Sequence, residues 1–123
     1  MAMKLATFMV LTPDLAEARR FYETVLGFRV VSESADGLVL DHDGAAFHVF
    51  RCENAAPVTR HGRDAASVLV FAVASIDDAM ADLRARGVEF LHQTPATNRF
   101  GRYAAFMAPG GNVHEIFQSE PGP

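Results

Sequence analysis

Phe106-Met107-Ala108-Pro109-Gly110-Gly111-Asn112-Val113-His114-Glu115-Ile116-Phe117 is the stretch that decides how this chain folds. Pro presets φ, and Gly and Asn tolerate positive φ, so Pro109-Gly110-Gly111-Asn112 reads as a tight turn. The apolar runs on either side then form the two strands of a hairpin. Side chains alternate along a strand, which puts Val113, Glu115 and Phe117 on one face and His114 and Ile116 on the other. A carboxylate between two apolar neighbours is costly to bury alone. Glu115 therefore needs either a wet cleft or a partner.

Before this hairpin, the same order of elements occurs twice. Leu5 to Leu11 reads as a strand with Thr7, Met9 and Leu11 on one face, and Thr12 or Asp14 can cap the helix that follows. Leu15, Ala18, Phe21, Tyr22, Val25 and Leu26 form its apolar stripe, and Gly27 is its stop. Strands are expected at Phe28 to Ser32, Leu38 to Asp41 and Ala45 to Arg51, separated by the Ala35-Asp36-Gly37 and Asp41-His42-Asp43-Gly44 turns. Cys52 to Ala66, with Asn54, Pro57, Arg60, His61, Gly62 and Arg63, reads as a polar connector. Then come a strand at Ser67 to Val73, a helix from Ile76 to Arg86 capped by Ser75, a strand at Val88 to Gln93, a loop from Thr94 to Gly101, and the hairpin. Thr7 to Val68 and Leu15 to Ile76 keep one offset, and Gly27 to Gly87 differs from it by one residue. An internal repeat dictates architecture. The expected fold is α+β, with two β-α-β-β-β modules forming curved mixed sheets around a cleft. It is one domain: module one at about 4–52, the connector at 53–66 and module two at 67–119.

Composition excludes several classes. The 123 residues are 50% hydrophobic and 21% charged, as in a globular chain with a real core. A net charge of −4 leaves no basic footprint for nucleic acid. No run reaches membrane-spanning length. The single Cys52 has no disulfide partner within the chain and lies outside metal-like spacing, which fits a cytoplasmic setting.

Asp14-Leu15 through Arg20-Phe21-Tyr22 and on to Leu26-Gly27-Phe28 resembles the "D-L-x-x-x-x-x-F-Y-x-x-x-L-G-F" opening of the vicinal oxygen chelate superfamily. Pro109-Gly110-Gly111-Asn112-Val113-His114-Glu115-Ile116 is similar to its "D-P-x-G-N-x-x-E-L" close, with Ala108 in place of Asp. That superfamily includes glyoxalase I, bleomycin- and fosfomycin-resistance proteins, methylmalonyl-CoA epimerase and extradiol dioxygenases. The resemblance implies the fold and a homodimer. It also implies four metal-ligand positions, which here are Thr7, His48, Val68 and Glu115. A divalent ion normally needs three protein groups beside an open position. Val68 has no donor and Thr7 only a neutral hydroxyl, so no tightly held cofactor is expected. A divalent metal, if one binds, falls to His48 and Glu115.

The candidate site follows. His48 and Glu115 are expected to act as one acid–base or ligand-orienting couple, since a carboxylate beside an imidazole favours the charged form of each. Thr7, Met9, Phe50, Val68, Arg102 and Tyr103 are expected to line the ligand cleft. His114 is expected to pack on the opposite face. The functional expectation is a glyoxalase/bleomycin-resistance-like protein that binds a small organic molecule. The alternative is a metal-dependent lyase, isomerase or dioxygenase with an atypical ligand set.

Overall fold

The computed structural model describes residues 2–3, 5–42, 45–53, 61 and 67–120. Of the connector, Cys52, Glu53 and His61 are described; Asn54, Pro57, Arg60, Gly62 and Arg63 lie outside the described residues, as do Asp43 and Gly44 of the second turn.

Strand β1 (Phe8–Thr12) leads into helix α1 (Leu15–Arg19). Asp14 is the cap: its Oδ1 accepts from the Glu17 N–H at 3.1 Å, satisfying a donor that has no carbonyl partner at a helix start. From Arg20 to Val25 the helix widens into π turns, with the Leu26 N–H donating to the Phe21 carbonyl at 2.9 Å. Its stripe is the expected one, with Ala18, Tyr22 and Val25 buried. Strands β2 (Arg29–Glu33), β3 (Gly37–His42) and β4 (Ala45–Arg51) complete the first half. They form a four-stranded sheet in the order β1-β4-β3-β2, with β1 parallel to β4 and the other pairs antiparallel.

The second half repeats this plan. Strand β5 (Val70–Ala72) precedes helix α2 (Ile76–Ala85), and β6 (Ala96–Asn98), β7 (Gly101–Met107) and β8 (Val113–Ser119) follow. The sheet order is β5-β8-β7-β6, again with the first pair parallel. The repeat is visible in the register: Met9 pairs with His48 in one sheet and Val70 with Glu115 in the other. Two hydrophobic clusters lie under the helices. Tyr22, Leu40, Phe47 and Val49 centre the first, and Ile76, Met80, Phe106 and Ile116 the second.

Several elements differ from the sequence expectation, among them β1, which starts at Phe8 rather than Leu5. Val88 to Gln93 is not a continuous strand; it makes one bridge, Phe90 with Phe106, and β6 lies in the stretch expected as loop. The reason is polar competition. The His92 Nδ1 accepts from the Ala105 N–H at 3.2 Å, while Arg84 on α2 takes the His92 and Gln93 carbonyls at 2.8 and 2.9 Å. Those carbonyls are lost to the ladder, and pairing resumes at Ala96. β5 is also shorter than expected, with Ser67, Val68 and Leu69 ahead of it.

The Pro109–Gly111 turn does more than reverse the chain. Asn112 Nδ2 donates to the Leu11 carbonyl at 2.8 Å, tying the β7–β8 turn to β1 of the other half. Gly110 has φ of 78°, and a Cβ there would lie 2.8 Å from the Leu11 carbonyl oxygen. Only glycine meets both demands. Deeper in the seam, Tyr22 Oη and His114 Nε2 are hydrogen-bonded at 2.6 Å, and Phe21, Leu26 and Phe71 pack against both clusters.

Candidate functional site

Glu115 sits on β8, between β5 and β7, on the face that the helices do not cover. Its neighbours across the ladders are Val70 and Ala105, and Phe117 next on the same face opposes Tyr103. Val70, Asn98, Phe100, Tyr103, Glu115 and Phe117 line a recess there. The β6–β7 turn builds one wall: the Asn98 Oδ1 accepts from the N–H groups of Phe100 and Gly101 at 2.9 and 3.1 Å. This is the side-chain turn that Asn favours. Gly101 is required at that corner, since a Cβ would lie 2.1 Å from the Gln118 carbonyl oxygen.

The partner of Glu115 is His61 from the connector, with Nε2 at 2.7 Å from Oε2. The two side chains are only 15% and 20% exposed, so the contact is well shielded from water. The His61 Nδ1 is buried and has no hydrogen-bond partner among the described residues. Nothing in the sequence pointed to His61, because a histidine in an aperiodic polar stretch carries no face and no register. Phe117, by contrast, was legible as sharing the face of Glu115.

The other expected site residues are distributed as follows. His48 lies on the helix-free face of the first sheet, opposite Met9, with its ring stacked on Phe50 at 5.5 Å. Met9 and Phe50 are 60% and 36% exposed on that face. The Thr7 hydroxyl, just before β1, donates to the Phe8 carbonyl at 3.1 Å. Among the described residues the expected couple of His48 with Glu115 is not made. Each stands on an inner strand of a different sheet, and Glu115 is already engaged by His61. Tyr103 does line the Glu115 recess. Arg102 does not, because alternation turns it to the helix side, where it grips Asp77 of α2 through two bonds of 2.9 and 3.0 Å. That contact holds the Asp77 carboxyl below its ordinary range.

Val68 lines a different space, an apolar cavity of about 590 Å³ between the two halves, walled by Phe8, Leu26, Phe47, Phe71, Leu83 and Phe106. Among the described residues Asp82 is the one charged residue on its lining. A recognition site combines apolar walls with convergent polar groups. The Glu115 recess has them and the cavity between the halves does not.

His114 occupies the opposite face of β8, as alternation requires, and is 3% exposed. Burial pushes its pKa down to about 4, only partly opposed by a hydrogen bond to the Val113 backbone, and burial raises that of Tyr22 above its usual value. This pair is structural: it joins the halves at the core.

The metal positions implied by the resemblance do not assemble here. Val68 offers no donor, Thr7 is turned to backbone, and Glu115 faces His61. Among the described residues no three of His, Cys, Asp or Glu converge as ligands. The donor set that is present, one carboxylate and one imidazole, falls short of three.

A family model described as the Glyoxalase/Bleomycin resistance protein/Dioxygenase superfamily matches residues 4–116. No curated protein matches the chain. Among solved structures, a glyoxalase/bleomycin resistance protein/dioxygenase from Nocardioides is similar at 24% identity and a TM-score of 0.78, over 100% of this chain and 88% of that one. TnmS3, an antibiotic binding protein from Streptomyces sp. CB03234, is similar at 24% identity and a TM-score of 0.72, over 98% and 99% of the two chains. The fosfomycin resistance protein FosX from Listeria monocytogenes is similar at 15% identity and a TM-score of 0.77, over 98% and 96%. At these identities the likeness is one of fold.

Proposed function

The chain belongs to the glyoxalase/bleomycin resistance protein/dioxygenase superfamily, and from that premise we propose that it binds a small organic molecule without a tightly held metal. The observation that carries this reading is the Glu115 recess. Aromatic and aliphatic walls meet one carboxylate there, and that carboxylate is held by a histidine rather than set among further ligands. Apolar walls supply affinity at roughly 25 cal/mol per Å² of surface removed from water. The polar pair supplies orientation, since a hydrogen bond to a charged group contributes about 1.5–3 kcal/mol net. The likeness to an antibiotic binding protein supports binding as the activity. We further propose that the protein works as a homodimer in the cytoplasm. The bare face of the first sheet, with Met9, Leu11 and Phe50 exposed, supports the pairing. No helix among the described residues is long and apolar enough to cross a membrane.

The second reading is a metal-dependent enzyme of the same superfamily, favoured by one observation: a fold neighbour, FosX, has been solved in complex with Mn(II) and sulfate. Elemental analysis of the purified protein after dialysis against a weak chelator separates the two. Far less than one equivalent of Mn, Fe, Ni or Zn per chain is expected, together with a raised melting temperature for members of a small-molecule screen. A stoichiometric ion that survives dialysis, with activity that follows it, would replace the first reading by the second.

A further inference from the structure

We propose that the Glu115 recess selects organic cations, molecules that carry an ammonium group on an apolar body. The inference rests on the binding reading above and deepens it by naming the ligand class.

The charge of the recess is one-sided. Its volume is about 580 Å³, room for a small ring and its substituent. Among the described residues that line it, Glu115 is the one charged side chain. A carboxylate spreads its charge over two oxygens, and both can only accept. His61 engages Oε2 at 2.7 Å, and among the described residues Oε1 takes no hydrogen bond. The side chain is only 20% exposed, so water satisfies that oxygen poorly. A positively charged donor brought by a ligand forms the stronger, charge-assisted kind of bond there. An anion in the same place would be repelled.

The walls favour the same charge. An aromatic face is the negative side of the ring quadrupole and attracts a cation within about 6 Å of its centroid. Phe100 shows this already, with the Arg99 guanidinium 4.7 Å from its ring centre. Arg99 is exposed, so water and salt screen its charge, and it leaves the other two rings free for a ligand. Those rings are Tyr103 and Phe117, directly opposed across β7 and β8. His92 holds Tyr103 edge-on, with ring centroids 5.9 Å apart and planes at 85°. Glu115 lies two positions from Phe117 on the same face, about 7 Å along the strand. That spacing lets one small molecule set its ammonium against the carboxylate and its body against the rings. A neutral alcohol can donate to Glu115 but gains nothing from the charge.

The test uses the full chain, titrated in turn with benzylamine, benzyl alcohol and phenylacetate. It follows the ¹H–¹³C resonances of Val70, Tyr103 and Phe117. At pH 8, below the ordinary amine value of about 10, benzylamine is cationic. It shares a ring and a donor with benzyl alcohol and differs in charge. Benzylamine should move the three residues and bind about tenfold more tightly than benzyl alcohol, and phenylacetate should leave them unmoved. Glu115→Gln keeps an oxygen for His61 and removes the charge, so benzylamine should fall to the level of benzyl alcohol. Equal affinity for the amine and the alcohol, or a preference for the amine that survives Glu115→Gln, overturns the inference and leaves the binding reading standing. Phenylacetate that binds as tightly as benzylamine does the same. If no probe moves the recess, the inference falls, and the binding reading falls with it unless a member of the small-molecule screen moves those residues. The wild-type titrations decide the matter even if the variant does not fold.

Discussion

The two halves of this molecule share strand order, parallel first pair and register, so that Met9 beside His48 corresponds to Val70 beside Glu115. Their helix-free faces nevertheless differ. On the first sheet the face is open, with Met9 60% exposed and His48 stacked on Phe50. On the second, His61 comes in from the connector to Glu115, and the Asn98–Gly101 corner walls the recess that Glu115 lines. The result is a shielded polar pair whose carboxylate lines an aromatic-walled recess. A repeated fold thus delivers equivalent positions, while the chemistry at each depends on what non-repeated segments bring to it. The correspondence of His48 with Glu115 is topological; the chemical partner of Glu115 is elsewhere.

Several measurements can break or sharpen this contrast. The largest effect is expected from Phe106→Ala. Phe106 is fully buried and its ring packs near Phe21 of the first half and Phe90 and His114 of the second. Removing it should cost about 3–5 kcal/mol by urea denaturation. Because the ring spans the seam, a single transition should shift as a whole. Two separate transitions would show that the halves fold independently and that their shared core has been overstated.

Acid should act nearly as strongly. His114 has a folded pKa of about 4 against an ordinary 6.5. Above 6.5 both folded and unfolded chains hold it neutral, and its contribution is fully present. As pH falls from 6.5 towards 4 only the unfolded chain takes up the proton, so stability drops by on the order of 3 kcal/mol. Compared with wild type, His114→Gln should lose that part of the pH slope. An unchanged slope would remove His114 from the seam's energetics.

Tyr22→Phe probes the same seam more gently. It leaves the His114 Nε2 without the partner it has at 2.6 Å, an expected loss of about 1–3 kcal/mol. A neutral result would mean that water reaches the ring.

The smallest effects bear most directly on the contrast between faces. With a ligand returned by the small-molecule screen as probe, Glu115→Ala should weaken binding about tenfold, and His48→Ala should leave it unchanged. Arg102→Gln should also leave it unchanged, since that side chain faces Asp77. Equal losses from His48→Ala and Glu115→Ala, less than additive when combined, would restore a shared site across the two sheets.

Much of this protein is legible in its sequence because the relevant signals are local and periodic. The stripe from Leu15 to Leu26, the caps at Asp14 and Ser75, and the turn at Pro109 to Asn112 each encode an element within a few residues. Alternation along β8 sent Glu115 to one face and His114 to the other. The repeat then implied two equivalent sheets. Tertiary structure decided what periodicity does not carry. The strand expected at Val88 to Gln93 was interrupted because the His92 ring and the Arg84 guanidinium claimed its hydrogen bonds from outside the segment. Arg102 turned away from the recess because β7 alternates and Asp77 on α2 was there to receive it. His61 reached Glu115 across 54 positions of chain. No local rule encodes such a contact: a hydrogen bond depends on distance and angle in space, and the path of an aperiodic connector is settled only when the sheets have packed.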